Sequence, residues 1–358
     1  MSRSRSPYME WAKNRPRPAI DLAGSNLLAC TLDDLPGARE DMDVAGESPD
    51  GYPPLVAAIA ARYGVKPDNV ATAVGCSGAN FLALAALVEN GNEVLFEQPG
   101  YDPLAAAAEM LGARVTRFER RFEDRWRLDP ERIARALSPR TRVVVLSSPH
   151  NPSGVTAGAE ELREIGRLAE REGFAVIVDE VYLDLVSPPA AHPPAATLSP
   201  AFVSTSSLTK AYGLASLRCG WALASPEVAA KIRRARDVVD VWSAIPADRL
   251  SVLAFRNLDR LADRARRLVE ANARLVGSFL ARRAGDLECV TSSATIAFPR
   301  FADGRDAASF VERLLRERAV AVVPGAFFDS PSHFRISFAG ATEPLEKGLN
   351  AIEDCLTA

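Results

Sequence analysis

The chain has 358 residues, 47% of them apolar and 25% charged, which is the composition of an ordinary folded protein and excludes disordered, collagen-like and disulfide-stapled classes. Its 43 basic and 46 acidic residues leave a net charge of −3 without a long run of one sign, so nucleic acid is not an expected partner. No apolar stretch reaches about 18 residues and the amino terminus lacks an apolar leader. We therefore expect no membrane partner and a cytoplasmic protein.

The cysteines and histidines do not form a recognisable cluster. The five cysteines are scattered and never occur as Cys-x-x-Cys, and the three histidines lie far apart in the chain. The pattern predicts reduced, mostly buried thiols and no metal site.

In chain order, the first 50 or so residues have little periodicity and predict an arm laid over a larger body. Apolar residues then follow helical spacing from Ser77 to Glu89, which predicts a helix that begins at the sequence Gly-Cys-Ser-Gly of residues 75–78. Thr156 is expected to cap a second helix that ends at Gly173. Short apolar runs predict strands at Glu93 to Glu97, Arg142 to Ser148, Phe174 to Val178, Phe202 to Ser206 and Cys219 to Leu223. Alternating strands and helices are typical of a mainly parallel α/β sheet covered by helices.

The second half of the chain predicts a loop, a long helical region and a small α+β unit. Five prolines between Ser187 and Pro200 predict a surface loop, either a connector or an active-site flap. Helical spacing continues from about Pro226 to Ala284. Strands are expected near Thr295 to Pro299 and Phe334 to Phe338, with helices at 306–318 and 343–356. Length predicts two domains, with a single larger unit left open.

Searches for common catalytic motifs exclude several enzyme classes. The chain has no phosphate-binding P-loop, no Gly-x-Gly-x-x-Gly and no His-Glu-x-x-His. Residues 75–79, Gly-Cys-Ser-Gly-Ala, are one residue short of a Gly-x-Ser-x-Gly nucleophile elbow. A hydrolase would also need a histidine after that serine, and only three are available, so we do not predict a hydrolase.

One of the five lysines stands apart from the others. Lys210 follows an apolar strand and a Ser/Thr-rich turn, whereas the others lie in polar or charged segments. Two further polar segments end strands upstream: residues 148–154, Ser-Pro-His-Asn-Pro-Ser-Gly, and residues 178–182, Val-Asp-Glu-Val-Tyr. In open α/β sheets ligands bind at the carboxyl ends of strands. We therefore expect an amide, an acid, a phenol and a lysine at one edge of the sheet.

These motifs resemble those of the fold-type I pyridoxal-phosphate enzymes, in the class I and II aminotransferase family of the aspartate aminotransferase superfamily. The resemblance rests on Asn-Pro-x-Gly at Asn151, Asp-x-x-Tyr at Asp179 and Ser-x-x-Lys at Lys210, followed by Arg218, and runs from about Gly51 to the carboxyl terminus. It implies a large domain with a mainly parallel seven-stranded sheet flanked by helices, and a smaller α+β domain. We expect an amino-terminal arm that is also part of the small domain at 1–45, the large cofactor-binding domain at 46–245 and the small domain at 246–358.

The resemblance also implies a role for each polar group at the reacting end of the cofactor, pyridoxal 5′-phosphate. Lys210 would form the imine with the cofactor aldehyde and later move a proton at the substrate α-carbon. Asp179 would face the pyridine nitrogen. Tyr182 and Asn151 would donate hydrogen bonds to the ring oxygen, and Tyr101 would stack on the ring face.

Further residues match the family's phosphate and substrate sites. Backbone N–H groups of the turn Gly75, Cys76 and Ser77, together with Ser207 and Arg218, would hold the phosphate. Arg335 lies in an apolar strand, where an unpaired arginine is costly, and the family uses this position for the substrate α-carboxylate. Gly24 and Asn151 would also contact the substrate.

The resemblance has one departure. The family commonly places a tyrosine shortly before the position of Gly51 that reaches the phosphate of the neighbouring subunit, and this chain has none there. The family is generally dimeric, so we still expect a homodimer. Trp11 is expected to pack the arm rather than line the pocket.

The leading hypothesis is an aminotransferase that transfers an amino group between an L-amino acid and a 2-oxo acid. A lyase, a decarboxylase and a histidinol-phosphate-type aminotransferase would keep the same cofactor residues and stay open. A non-catalytic sensor module of a transcription regulator would need a winged-helix domain, and about 50 residues before Gly51 are too few for one.

Overall fold

The computed structural model of the chain describes residues 5–186 and 192–357. Its helices are α1 Pro7–Asn14, α2 Pro53–Tyr63, α3 Gly75–Leu87, α4 Asp102–Met110, α5 Pro130–Ala136, α6 Ala159–Glu172, α7 Leu208–Tyr212, α8 Pro226–Val239, α9 Ile245–Arg256, α10 Leu258–Arg282, α11 Ala308–Arg318 and α12 Thr342–Thr357. Its strands are β1 Ile20–Asp21, β2 Val70–Val74, β3 Glu93–Gln98, β4 Arg114–Glu119, β5 Thr141–Ser147, β6 Ala175–Asp179, β7 Phe202–Ser207, β8 Cys219–Leu223, β9 Leu287–Glu288, β10 Ile296–Ala297, β11 Arg300–Phe301, β12 Val320–Ala321, β13 Val323–Pro324 and β14 Phe334–Ser337.

A seven-stranded sheet with the order β2-β8-β7-β6-β5-β3-β4 forms the centre of the molecule, as predicted for the fold class. Only β8 is antiparallel to its neighbours, and the other strands run in one direction. The start of β8 therefore lies at the same edge as the ends of β2 and β7. The register places Val74 opposite Cys219 and Ser147 opposite Asp179. The polar residues that follow these strands consequently meet at one edge.

Alternate residues of the central strands pack on opposite faces of the sheet. On β5, Val143 and Val145 join the core under α3 and α4. Val144 and Leu146 join the core under α6 on the other face. Because both faces are covered, the middle residues of β3, β5 and β6 are apolar on both sides, which is why short apolar runs predicted these strands.

The five strands predicted for the parallel sheet are confirmed with ends within one residue, and the helix predicted at residues 75–78 begins at Gly75. The second predicted helix, α6, ends at Gly173 in the left-handed conformation, as expected. Its start was predicted wrongly. Gly158 precedes the first turn, and the Thr156 hydroxyl has no hydrogen-bond partner among the described residues.

The carboxyl-terminal elements have their own core. Strands β10, β14 and β13 form an antiparallel sheet, and α11 and α12 pack against it around Phe334 and Ile336. The long helical region predicted after Pro226 is divided into α8, α9 and α10. The described part of the proline-rich loop, residues 192–200, contains one short 3-10 turn, and residues 187–191 lie outside the described residues.

The amino-terminal segment is more ordered than an irregular arm. It contains α1 and the strand β1, which pairs with β12 in parallel, with Ile20 opposite Val320. The three-part division of the chain stays a prediction. None of the helices in the described ranges has the length and apolar character needed to span a membrane.

Candidate active site

A cavity of about 620 Å³ opens at the edge of the sheet where the polar strand ends converge. Ten of the residues singled out from the sequence line it: Gly24, Cys76, Ser77, Tyr101, Asn151, Asp179, Tyr182, Ser207, Lys210 and Arg218. The other two are close behind its wall, since Gly75 lies directly against the Arg218 side chain and Arg335 donates a hydrogen bond to Asn151. The structure thus brings all twelve together.

Lys210 projects into this cavity from the short helix α7, which begins at the end of β7. Its Nζ donates to Ser25 Oγ at 2.9 Å and to Asn26 Oδ1 at 2.7 Å. Burial of the ammonium and the positive charge of Arg335 lower the pKa of Lys210 to about 7, and the Asp179 carboxylate opposes that shift. A large fraction of the amine is therefore neutral, and so nucleophilic, near neutral pH.

Asp179, the last residue of β6, is buried at the base of the cavity. Its Oδ2 accepts from Asn80 Nδ2 at 2.8 Å, and its Oδ1 accepts from the Val181 N–H at 3.1 Å and from Cys76 Sγ at 3.4 Å. Burial raises the pKa of this carboxyl group, and the hydrogen bond from the Val181 N–H opposes the rise. The donors fix the orientation of the carboxylate.

Sequence reasoning missed Asn80, which donates to Asp179, and Thr205, which donates to Asn80. Asn80 lies one turn after Cys76 on α3, and its Oδ1 accepts from Thr205 Oγ1 at 2.5 Å. The signal was present, because a buried asparagine in an apolar helix needs partners. Ser25 and Asn26 were also missed, although they directly follow Gly24.

The amino terminus of α3 presents free backbone N–H groups beside Arg218. No side chain in the described part of the chain caps this helix, and the N–H of Gly75 donates to the Arg218 carbonyl at 2.7 Å. A Cβ at residue 75 would collide with the Arg218 guanidinium, so glycine permits the close approach. Among the described residues, the exposed guanidinium donates hydrogen bonds only to the carbonyls of Ala215 and Val74, at 3.3 and 3.4 Å. Ser77 and Ser207 line the same end, which therefore suits an anion.

Arg335 lies fully buried at the other end of the cavity. Its Nη1 donates to Asn151 Oδ1 at 2.7 Å, and its Nη2 donates to Tyr8 Oη and to the Ala23 carbonyl, both at 3.0 Å. Its Nε has no hydrogen-bond partner, and no carboxylate among the described residues pairs with it. A buried guanidinium without a counterion has the capacity to bind an anion.

Two tyrosines complete the cavity wall between these ends. Tyr182 is buried, its Oη has no hydrogen-bond partner among the described residues, and burial raises its pKa to about 12. The Lys210 Nζ lies 6.0 Å from the centre of its ring. Tyr101 packs edge-on against Tyr8, with ring centres 5.6 Å apart, and its hydroxyl contacts Met9 Sδ at 3.7 Å.

A buried ion pair supports the segment that carries Asn151. Arg120 Nη1 donates to Glu97 Oε2 at 3.0 Å, and both side chains are fully inaccessible to solvent. Glu97 Oε1 accepts from the Ser147 hydroxyl at 2.5 Å, and Ser147 Oγ accepts from the Asn151 N–H at 3.0 Å. The backbone N–H of Asn151 is therefore held in place by a buried hydrogen-bond network.

Comparison with known proteins agrees with this geometry. The family model for aminotransferase class I and II matches residues 41–352. The chain belongs to the class I and II aminotransferase family. It is thus a pyridoxal-phosphate-dependent enzyme of the transaminase type, as the sequence motifs predicted.

Relatives of this aminotransferase-family protein differ in their reactions. The capreomycidine synthase of Streptomyces vinaceus is 33% identical over 366 aligned positions, which cover 98% of this chain and 93% of the relative. The aspartate aminotransferase of Geobacillus stearothermophilus is 26% identical over 309 positions, covering 82% and 77%. The crystal structure of a PLP-dependent aminotransferase from Streptococcus suis superposes with a TM-score of 0.93 at 25% identity, covering 100% of this chain and 98% of that one.

Proposed function

We propose that this enzyme transfers the amino group of an L-amino acid to a 2-oxo acid. One observation supports the proposal above the others: the Lys210 amine, with a pKa of about 7, lines a cavity whose wall residue Asn151 is backed by Arg335, a buried cation that no carboxylate among the described residues pairs with. An amino acid needs both groups, since the arginine would bind its carboxylate and the amine would remove the proton from its α-carbon.

The cavity fits pyridoxal phosphate on features of this chain alone. The uncapped amino terminus of α3 and the exposed Arg218 suit the phosphate, and the unpartnered Tyr182 hydroxyl is free to donate to the ring oxygen. Asp179 would face the ring nitrogen, Tyr101 would stack on the ring, and Asn151 and Ser207 would complete the contacts. When bound there, the cofactor supplies an electron sink for the carbanion at the substrate α-carbon.

The residues of the chain would divide the work of the reaction. Arg335 and Asn151 would orient the substrate through its carboxylate, so that the bond to the α-proton points toward Lys210. Nζ of Lys210 would accept that proton and pass it on to the cofactor. A pKa of about 7 suits Nζ to both steps at neutral pH. The three hydrogen bonds that Asp179 accepts would help it to keep its negative charge. The carboxylate would then hold a proton on the ring nitrogen of the cofactor.

A second candidate is a synthase reaction that begins at the same substrate α-carbon but does not end in amino transfer. The observation that favours it is the 33% identity with capreomycidine synthase over nearly the whole chain, against 26% with the aspartate aminotransferase. Lys210 and Asp179 would be used in the same way until the α-proton is removed. A decarboxylase and a histidinol-phosphate-type aminotransferase keep the same residues and stay open.

We also propose that the protein acts as a homodimer. Large apolar side chains are exposed close together in the sequence at Val238, Val241 and Trp242, just before α9. Val44 is also exposed, two residues before Gly46, which lies against Ile245 of α9. An exposed apolar patch of this kind is typical of a protein interface. The cytoplasmic location expected from the sequence stays a prediction.

The amino-transfer proposal is tested by following the nitrogen atom. The protein, loaded with pyridoxal phosphate, is incubated with ¹⁵N-labelled L-amino acids and unlabelled 2-oxoglutarate, and products are analysed by mass spectrometry. We expect ¹⁵N in newly formed glutamate with at least one donor, and none with the Lys210→Ala variant. Release of ¹⁵N-ammonia or carbon dioxide without labelled glutamate would instead support a lyase or a decarboxylase.

A further inference from the structure

The anion site at Arg335 has a feature that the family motifs did not indicate: a tyrosine from the amino-terminal helix is part of it. Tyr8 lies on α1, 327 positions from Arg335 in the chain, and its Oη accepts a hydrogen bond from Arg335 Nη2 at 3.0 Å. The Arg335 guanidinium carbon also lies 5.6 Å from the centre of the Tyr8 ring. Tyr8 lines the cavity that contains Lys210.

The hydrogen-bonding capacity of this pair is only partly used. Arginine has five N–H donors, and three of those of Arg335 have partners, namely Asn151, Tyr8 and the Ala23 carbonyl. A tyrosine hydroxyl both accepts and donates. The Tyr8 oxygen accepts a hydrogen bond from Arg335 Nη2. Within residues 5–186 and 192–357, no group accepts a hydrogen bond from the Tyr8 O–H. A guanidinium and a free O–H donor are therefore adjacent at the cavity wall.

The ring of Tyr8 is held in place by packing that does not depend on its hydroxyl. It lies 5.6 Å from the ring of Tyr101 and 6.0 Å from those of Phe327 and Phe328. Helix α1 is fixed by the Ser6 hydroxyl, which donates to Asp102 Oδ2 at 2.5 Å. Replacement of Tyr8 by phenylalanine would thus remove the hydroxyl and keep the ring contacts.

We propose that the Tyr8 hydroxyl is a substrate-binding group that donates a hydrogen bond to the carboxylate held by Arg335. Helix α1 is then part of the substrate site. The inference rests on the proposed function, because it requires an amino-acid substrate with a free carboxylate.

The test compares two amines of similar shape that differ in the carboxylate. 2-Methylalanine has no α-proton, so under the proposed amino transfer it measures binding alone, and tert-butylamine carries a methyl group in place of its carboxylate. The dissociation constant of each is measured from the visible absorption change of the loaded wild-type protein, of Tyr8→Phe and of Trp11→Phe. Trp11 is the matched control, since it packs on Phe327 from the same helix at 5.4 Å and does not line the cavity.

We expect Tyr8→Phe to weaken 2-methylalanine binding about tenfold, as for the loss of one hydrogen bond to a charged group, with tert-butylamine changed less than about twofold. Trp11→Phe should change neither constant. With a substrate that is turned over, Tyr8→Phe should have a higher KM than wild type and a kcat within about twofold of it.

Three results would overturn the inference. Equal 2-methylalanine affinity in wild type and Tyr8→Phe would remove Tyr8 from the site and leave the proposed function intact. An equal loss in Trp11→Phe would assign the effect to helix packing. If the wild-type protein binds 2-methylalanine no better than tert-butylamine, both the carboxylate site and the amino-acid function fall.

Discussion

The ionisation of Lys210 provides a quantitative test that does not need the cofactor. With a pKa of about 7, half of its amine is neutral at pH 7. A free lysine with a pKa of about 10.4 has only about one neutral amine in 2,500 at that pH. Lys210 should therefore react with acetic anhydride near neutral pH far faster than an ordinary lysine.

The charges around Lys210 predict the direction in which its titration moves in two variants. The Arg335 cation lowers the pKa of Lys210 and the Asp179 carboxylate raises it. In Arg335→Met, the pH at which half of Lys210 is reactive should therefore be higher than in wild type. In Asp179→Asn it should be lower.

The assay is competitive acetylation of the cofactor-free protein from pH 5 to 10, with the modified peptides quantified by mass spectrometry. Lys231, on the surface of α8 and paired with Glu227 at 2.8 Å, reports the reagent's behaviour at an exposed lysine in the same sample. A wild-type midpoint near 10 for Lys210 would refute the argument, as would shifts of the two variants in the opposite directions.

Three further outcomes follow from contacts around the cavity. Asn80→Leu removes the donor to Asp179 Oδ2, so the protein should lose about 1–3 kcal/mol of stability and bind pyridoxal phosphate more weakly, as measured by urea unfolding and by visible titration. Glu97→Gln leaves the Arg120 charge buried without its anion, and the free energy of unfolding should fall by about 3–5 kcal/mol; a loss below about 1 kcal/mol would contradict the role of the pair. Arg218→Met should raise the dissociation constant of pyridoxal phosphate about 10- to 100-fold and leave that of pyridoxal, which lacks the phosphate, unchanged.

The sequence predicted the sheet edge well because each motif there is local. Asp179 ends a short apolar strand, Asn151 and Lys210 follow two others, and the parallel strands of one sheet end at the same edge. Knowing where each strand ends was therefore enough to bring these residues together. The same reasoning placed the start of α3 at Gly75 near this edge, because it also follows a strand.

The parts that were missed depend on long-range packing. Helix α1 has only eight residues, and Tyr8 reaches the site only because α1 packs against α4 and the loop after β13. The buried Glu97–Arg120 pair joins a residue of β3 to the residue directly after β4, 23 positions away, and nothing in the sequence of either strand marks the pairing. Thr156 does not cap α6 because the helix begins at Ala159, and the residue in the capping position is Gly158.

The most direct test of the central claim is a single-turnover experiment without a 2-oxo acid. The loaded protein is mixed with an excess of one amino-acid donor, and the visible spectrum and the released 2-oxo acid are followed together. An aminotransferase should form one 2-oxo acid per site, convert the cofactor to its amine form and stop, and added 2-oxo acid should reverse the change; Lys210→Ala should show no conversion. Continued formation of 2-oxo acid with ammonia beyond one per site, or conversion at the wild-type rate in Lys210→Ala, would contradict the account.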